Sequence, residues 1–223
     1  MNSDFVCLKK TLGFRILKHL YISVGRHPET KNPVVGFRLA SYRKGSVAVV
    51  EIDHLPNFSD IMKKVVKHLE IFVIDSKYEP YDNVSQKGYW KQLTVRQGDR
   101  TGDLLVWIIL HPQEMSSEDQ EQLKSDLKLH FEKFQPKVTS LNIQFFGQRL
   151  KGKPEPPVQC LAGNSSISEK LMDLNFKVSP QAFFQVNTKA AEKLYEKCGE
   201  IGMFEKLVRV YKRLLQKSGL AKN

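Results

Sequence analysis

The sequence predicts an α+β fold, an antiparallel sheet covered by helices. Three observations point there. Runs rich in β-branched and aromatic residues alternate with turn residues along 34–146. Two stretches between those runs carry apolar residues at helical spacing instead. The resulting order is β–β–α, β–β–α, β, then a linker and a last helix. With 223 residues, 41% hydrophobic and 26% charged, the chain has ordinary globular composition.

Each element has its own signal. Residues 34–40 and 47–52 read as a hairpin around a polar loop at 41–45. Ser59 is a candidate N-cap, followed by Ile61, Val65, Val66, Leu69, Phe72 and Val73 at helical spacing. Residues 79–83 form a loop, and 89–96 alternate as a strand. A turn at 98–102 precedes the continuous apolar run 104–110, a strand expected to be buried on both faces. Pro112 ends it. A second helix starts near Ser116 or Ser117 with acids in its first turn. Its buried stripe is Leu123, Leu127, His130, Phe131 and Phe134, where His130 reads as a satisfied core-edge histidine. A strand at 138–146, a Lys/Pro/Gly linker at 151–157 and a weaker strand at 158–162 follow. Phe176, Val178 and Phe183 lead into a final helix from Asn187 or Thr188, with Ala190, Ala191, Leu194, Tyr195 and Cys198 on its apolar side.

Composition narrows function. Lys and Arg number 35 against 24 acids, a net +11, which suits a polyanionic partner. The excess sits at the ends: 1–45 hold nine Lys or Arg against two acids, and 204–223 hold six against one. No apolar run approaches the roughly 18–20 residues of a membrane span. Cys7, Cys160 and Cys198 form no C-x-x-C pair, and no His/Asp/Glu cluster has metal-ligand spacing, so neither membrane nor metal is expected. An odd, sparse cysteine set suits a reducing intracellular compartment, with cytoplasm or nucleus favoured over mitochondrion. No G-x-G-x-x-G or phosphate-cradling loop is present.

Two basic stretches are candidate nucleic-acid contacts. Arg38, Arg43 and Lys44 surround the first hairpin loop. Lys87, Lys91, Arg96 and Arg100 accompany Tyr89 and Trp90. Lysines beside aromatics suit phosphate contact and base stacking; a solvated strand face with Trp90 in the core is the alternative. The segment 178–188, V-S-P-Q-A-F-F-Q-V-N-T, stands before a helix N-terminus whose free N–H groups suit a polar ligand. It could equally be a helix entry, with Asn187 as cap and Phe184 as staple.

That segment resembles the S-P-x-A-F-F-Q-V-N-T motif of the eukaryotic tRNA (uracil-5-)-methyltransferases, the TrmA/RumA-like family. Collinear with it, A-A-E-K-L-Y at 190–195, V-G-F-R-L at 35–39, G-Y-W-K-Q-L-T-V-R at 88–96 and H-P-Q at 111–113 are similar to family motifs. The resemblance spans about residues 21–195. It implies methyl transfer from S-adenosylmethionine to C5 of a tRNA T-loop uridine. In that family a Cys thiolate adds to C6, a carboxylate removes the C5 proton, and the base leaves its stack. By resemblance Gln185 contacts S-adenosylmethionine, Asn187 less securely, and Arg38, Lys91 and Arg96 face RNA.

The departures from the family shape the expectation. None of Cys7, Cys160 or Cys198 matches the family nucleophile, and 199–223 do not resemble its Gly-rich cofactor loop. The resemblance therefore implies no catalytic residue here; nucleophile and base belong to a missing Rossmann-like domain. The expected organisation is a divergent basic segment at 1–20 and a central α+β RNA-facing domain at 21–175. The start of the methyltransferase domain at 176–198 and a divergent, undocked basic tail at 199–223 would follow. Such a chain would be a fragment or isoform inactive on its own. The rival readings are a non-catalytic RNA-binding module and, more weakly, a protein-interaction domain.

Overall fold

The structure, a computed structural model, describes residues 18–39, 48–147, 152, 154–200, 209 and 211. The strands of the main sheet are β1 (His19–Arg26), β2 (Pro33–Arg38), β3 (Val49–Val50), β4 (Trp90–Gln97), β5 (Leu104–Leu110), β6 (Ser140–Phe145) and β7 (Gln159–Gly163). They lie in the order β3-β2-β1-β4-β5-β6-β7. A separate hairpin pairs β8 (Ile167–Leu171) with β9 (Leu174–Val178). The helices are α1 (Asp60–Asp75), α2 (Ser117–Glu132) and α3 (Thr188–Glu200).

The α+β class holds, with one correction to the expected antiparallel sheet. β5 and β6 run parallel, Leu105 to Ser140 through Leu110 to Phe145. The cause is the connection: α2 carries the chain back across the sheet, and a strand–helix–strand crossover returns in the same direction. The other pairings are antiparallel.

One face of the sheet is apolar and meets α1 and α2. Leu20, Ile22 and Val24 of β1, Leu93 and Val95 of β4, and Val106 and Ile108 of β5 pack against Val65, Leu69 and Val73 of α1 and Leu127 and Phe131 of α2. Period-two strands and helices of period 3.6 supply those faces. The helices also clasp each other through His68 and His130. Their rings stack at 3.9 Å, and each Nε2–H donates to the other's main-chain carbonyl, at 3.0 and 2.8 Å. His130 is thus satisfied, as its place in the stripe suggested.

The caps divide the same way. Ser116 accepts from the Asp119 N–H at 3.0 Å, a side-chain cap for α2. Ser59 caps α1 through its backbone only, and its hydroxyl donates to Gln97 Oε1 at 2.8 Å, tying helix to sheet.

The opposite face is polar and is read across the strands by register. Tyr21, Thr94, Trp107 and Asn142 form one row; Ser23, Gln92, Ile109 and Gln144 form another; His19, Arg96, Leu105 and Ser140 form a third. The β8–β9 hairpin covers the third row. Leu105 is buried with Ile167 and Val178, while Trp107, Phe176, Ala182 and Phe184 close around them. β5 is therefore buried on both faces, as its unbroken apolar run predicts. Between β2 and β3 the backbones approach closely: a Cβ on Gly36 would lie 1.9 Å from the Val50 carbonyl oxygen.

β1 and the β8–β9 hairpin were not among the expected strands. Arg43, Lys44, Cys7 and nearly all of the 199–223 tail lie outside the described residues.

Candidate nucleic-acid interface and the Gln185 segment

Arg38 and Lys91, far apart in sequence, line one cleft of about 390 Å³ on the polar face. Tyr21, Ser23, Tyr81, Asn83 and Gln92 share it. Arg38 donates from Nη2 to Ser23 Oγ at 2.9 Å, which holds the guanidinium across the sheet. Partial burial pulls its pKa below the usual value. Lys91 owes its place to a bulge between Trp90 and Gln92. The extra residue breaks the simple alternation of the strand, so Trp90 joins Leu93 and Val95 in the helix-side core while Lys91 turns to the cleft. Its ammonium donates to the carbonyls of Phe146 and Gly147 at 3.1 and 2.9 Å and lies 5.2 Å from the Tyr81 ring centroid. Burial lowers its pKa.

The H-P-Q sequence braces this end. His111 stacks on Tyr81 at 4.8 Å, and its Nδ1 accepts from the Gln113 N–H at 3.1 Å. Gln113 donates from Nε2 to the carbonyls of Gln86 and Gly88, both at 2.9 Å. Burial, then the charge of Lys91, holds the His111 pKa down. Trp90 is fully buried and donates its indole N–H to Ser76 Oγ at 3.2 Å, the core alternative of the sequence reading.

Arg96 lies elsewhere. It is 8% exposed, beneath the hairpin, in a recess with Lys18, His19, Glu169, Gln185 and Thr188. Nη1 approaches the Ser179 carbonyl at 3.5 Å, and Nε has no hydrogen-bond partner among the described residues. The sheet thus brings Arg38 and Lys91 together and sets Arg96 beside Gln185. Arg100, in the turn between β4 and β5, pairs with Glu192 at 2.5 Å.

The 178–188 segment divides its side chains. Phe184 packs on Phe176 at 5.5 Å, whereas Phe183 is 84% exposed. Asn187 caps α3 by accepting from the Ala190 N–H at 2.9 Å. Gln185 is exposed at the mouth of the recess, so its amide is open to a polar ligand. The α3 apolar side is half covered: Ala191 is buried and Leu194 is exposed.

His19 gives the recess a pH signature. Burial, then the charge of Arg96, holds its pKa down to about 4 from 6.5. Between those values the unfolded chain takes up a proton that the folded one refuses, so stability falls as pH drops through that window. With the site's partial exposure discounted, the loss is about 2 kcal/mol by pH 4. Melting of His19→Gln from pH 7 to 4 should be flatter than that of the parent; an equal fall would assign the acid sensitivity to other groups.

Among the described residues no cluster of His, Cys, Asp or Glu is placed to hold a metal ion, and no helix is long and apolar enough to cross a membrane. Sequence reasoning missed Tyr21 and Tyr81 as cleft residues. The alternation of 19–26 could have found Tyr21; Tyr81 reaches the cleft through a loop and left no periodic signal.

A mixed sheet with helices on one face, a cationic, aromatic cleft on the other and a motif-bearing helix entry define the class as an α+β domain with one polar, cation-bearing sheet face. Comparison makes this specific. The chain is 39% identical over 176 residues to the mouse tRNA (uracil-5-)-methyltransferase homolog A, covering 77% of this chain and 28% of that one. It is 34% identical over 182 residues to the human homolog B, covering 80% and 36%. The chain is thus related to the tRNA (uracil-5-)-methyltransferase family, and it spans about a third of the length of these curated relatives. The crystal structure of the Pyrococcus abyssi tRNA (uracil-54, C5)-methyltransferase in complex with S-adenosyl-L-homocysteine shares the fold. Its TM-score is 0.59 at 19% identity, covering 90% of this chain and 49% of that one. No family model matches the chain.

Proposed function

We propose that this chain supplies the RNA-facing central part (21–175) and the first turns of the methyltransferase part (176–198) of an S-adenosylmethionine-dependent tRNA (uracil-5-)-methyltransferase. The observation that carries the reading is the convergence of Arg38 and Lys91 in one cleft on the polar sheet face. Two cations beside aromatic rings offer phosphate contact and stacking on one surface. The kinship to the methyltransferase homologs supports tRNA as the RNA and C5 of a T-loop uridine as the target.

Gln185 is the residue for S-adenosylmethionine, which would supply the methyl group. Its exposed amide at the entry of α3 fits a single polar contact with the cofactor. Among the described residues the cysteines are Cys160, exposed on β7, and Cys198, on α3, and neither stands in a motif that resembles the family's nucleophile. On its own, therefore, it binds RNA without methylating it.

The test is paired. Incubated with tRNA and methyl-labelled S-adenosylmethionine, residues 1–223 should incorporate no label, while filter binding to tRNA should weaken linearly in log salt. Arg38→Ala and Lys91→Ala should each reduce that slope by about 1. Label incorporation would overturn the inactivity, and salt-independent or absent binding would overturn the RNA-facing role.

A further inference from the structure

We infer that the cleft between β1, β2 and β4 takes one unpaired nucleobase of the RNA, stacked on the ring of Tyr21. The inference rests on the RNA-facing reading above and adds a subsite to it. Tyr21 sits on β1, which has β2 on one side and β4 on the other, in the interior of a seven-stranded sheet. Such positions usually bury their aromatics, yet Tyr21 is 61% exposed and stacks on no other ring among the described residues. Its neighbours on the same face are small or polar. Thr94 lies directly opposite on β4 at 1% exposure, and Ser23 and Gln92 form the next row. The cleft beside Tyr21, which Tyr81 also lines, is open space in which a flat ring can lie along the Tyr21 face.

The surrounding groups suit a base and its phosphate. Arg38, held by Ser23, presents a cation at one side of the ring. Gln92, also in the cleft lining, donates from Nε2 to Thr94 Oγ1 at 3.3 Å and keeps a side-chain carbonyl oxygen able to accept a hydrogen bond. At about 390 Å³ the cleft falls within the roughly 300–1,000 Å³ of small-ligand pockets, a volume on the scale of one nucleotide. Sequence-tolerant stacking on an exposed aromatic with a neighbouring cation is how sheets hold single-stranded RNA.

The experiment compares two RNA probes on residues 1–223: a T-arm hairpin with 2-aminopurine in its loop, and a blunt duplex without unpaired bases. Tyr21→Ala should weaken hairpin binding roughly 5- to 100-fold, with the salt slope kept and duplex binding unchanged. Tyr21→Phe should restore hairpin affinity and the quenching of 2-aminopurine. Matched melting temperatures confirm that the exposed ring does not hold the fold. If Tyr21→Ala binds the hairpin like the parent while Arg38→Ala still lowers the salt slope, the subsite fails and the RNA-facing role stands. If neither probe binds in a salt-dependent way, both fall.

Discussion

Replacing Glu169 by Ala is expected to loosen the β8–β9 hairpin and α3 from the main sheet. Glu169 is 4% exposed, yet its carboxylate is fully employed. Oε2 accepts from the Asp99 N–H at 2.6 Å and from Thr188 Oγ1 at 3.3 Å. Oε1 accepts from the Lys170 and Arg100 N–H groups at 2.8 and 3.4 Å. One side chain thus joins the β4–β5 turn, the hairpin and the first residue of α3. Alanine leaves several of these donors unmet in a buried place, at about 1–3 kcal/mol each, so a total of about 2–4 kcal/mol is expected after partial rehydration. Gln is a poor substitute, because its NH2 would face donors. The more exposed pairs Lys189–Asp99 and Arg100–Glu192 add little by comparison. Amide exchange reads the result: protection should fall at Asp99, Arg100 and across 167–178 while β4–β6 stay protected. Unchanged protection in the hairpin would show that the second apolar cluster, not Glu169, holds it. Since Thr188 begins α3, the same change should free Gln185 from its place beside Arg96.

That carboxylate also explains what the sequence concealed. Along β8 the inward positions are Ile167, Glu169 and Leu171, and a charged residue in the middle breaks the apolar alternation that marks a strand. No local pattern signals that Asp99 and Arg100 amides wait to receive it. β1 does alternate, Leu20, Ile22 and Val24 inward against Tyr21 and Ser23, but its pairing with β4 is remote in sequence. The helices and β4–β6 were legible because their burial is one-sided or complete over long runs. The candidate site was legible as residue types, not as a group. Arg38 and Lys91 meet only through the β2-β1-β4 order and a bulge, while Arg96, on the same strand as Lys91, is roofed by a hairpin with no local signature. The motif around Gln185 was legible as a helix entry, and the structure gives Asn187 the cap and Phe184 the packing while leaving Gln185 outward.

Trp90→Ala should be the most damaging single change, at about 3–5 kcal/mol, because it removes a large side chain from a site with no solvent exposure. The indole meets Phe72 of α1 edge-on at 5.9 Å and donates to Ser76 just beyond that helix. Its backbone carbonyl accepts from the Tyr81 N–H at 2.8 Å, so the loop bearing one wall of the cleft hangs from the same residue. Trp90→Phe keeps most of the apolar volume, loses one hydrogen bond and should cost about 1–2 kcal/mol. Urea unfolding separates the two, and an equal, small loss for both would mean that the core closes over the missing ring. The functional consequence follows from the bulge. Trp90 turning inward is what lets Lys91 turn outward. Emptying the indole's pocket removes the reason for the extra residue, and β4 can then relax toward regular pairing. Trp90→Ala should therefore weaken tRNA binding even under conditions where it remains folded, whereas Leu127→Ala, a fully buried change on α2 away from the bulge, should lower stability without altering the salt slope.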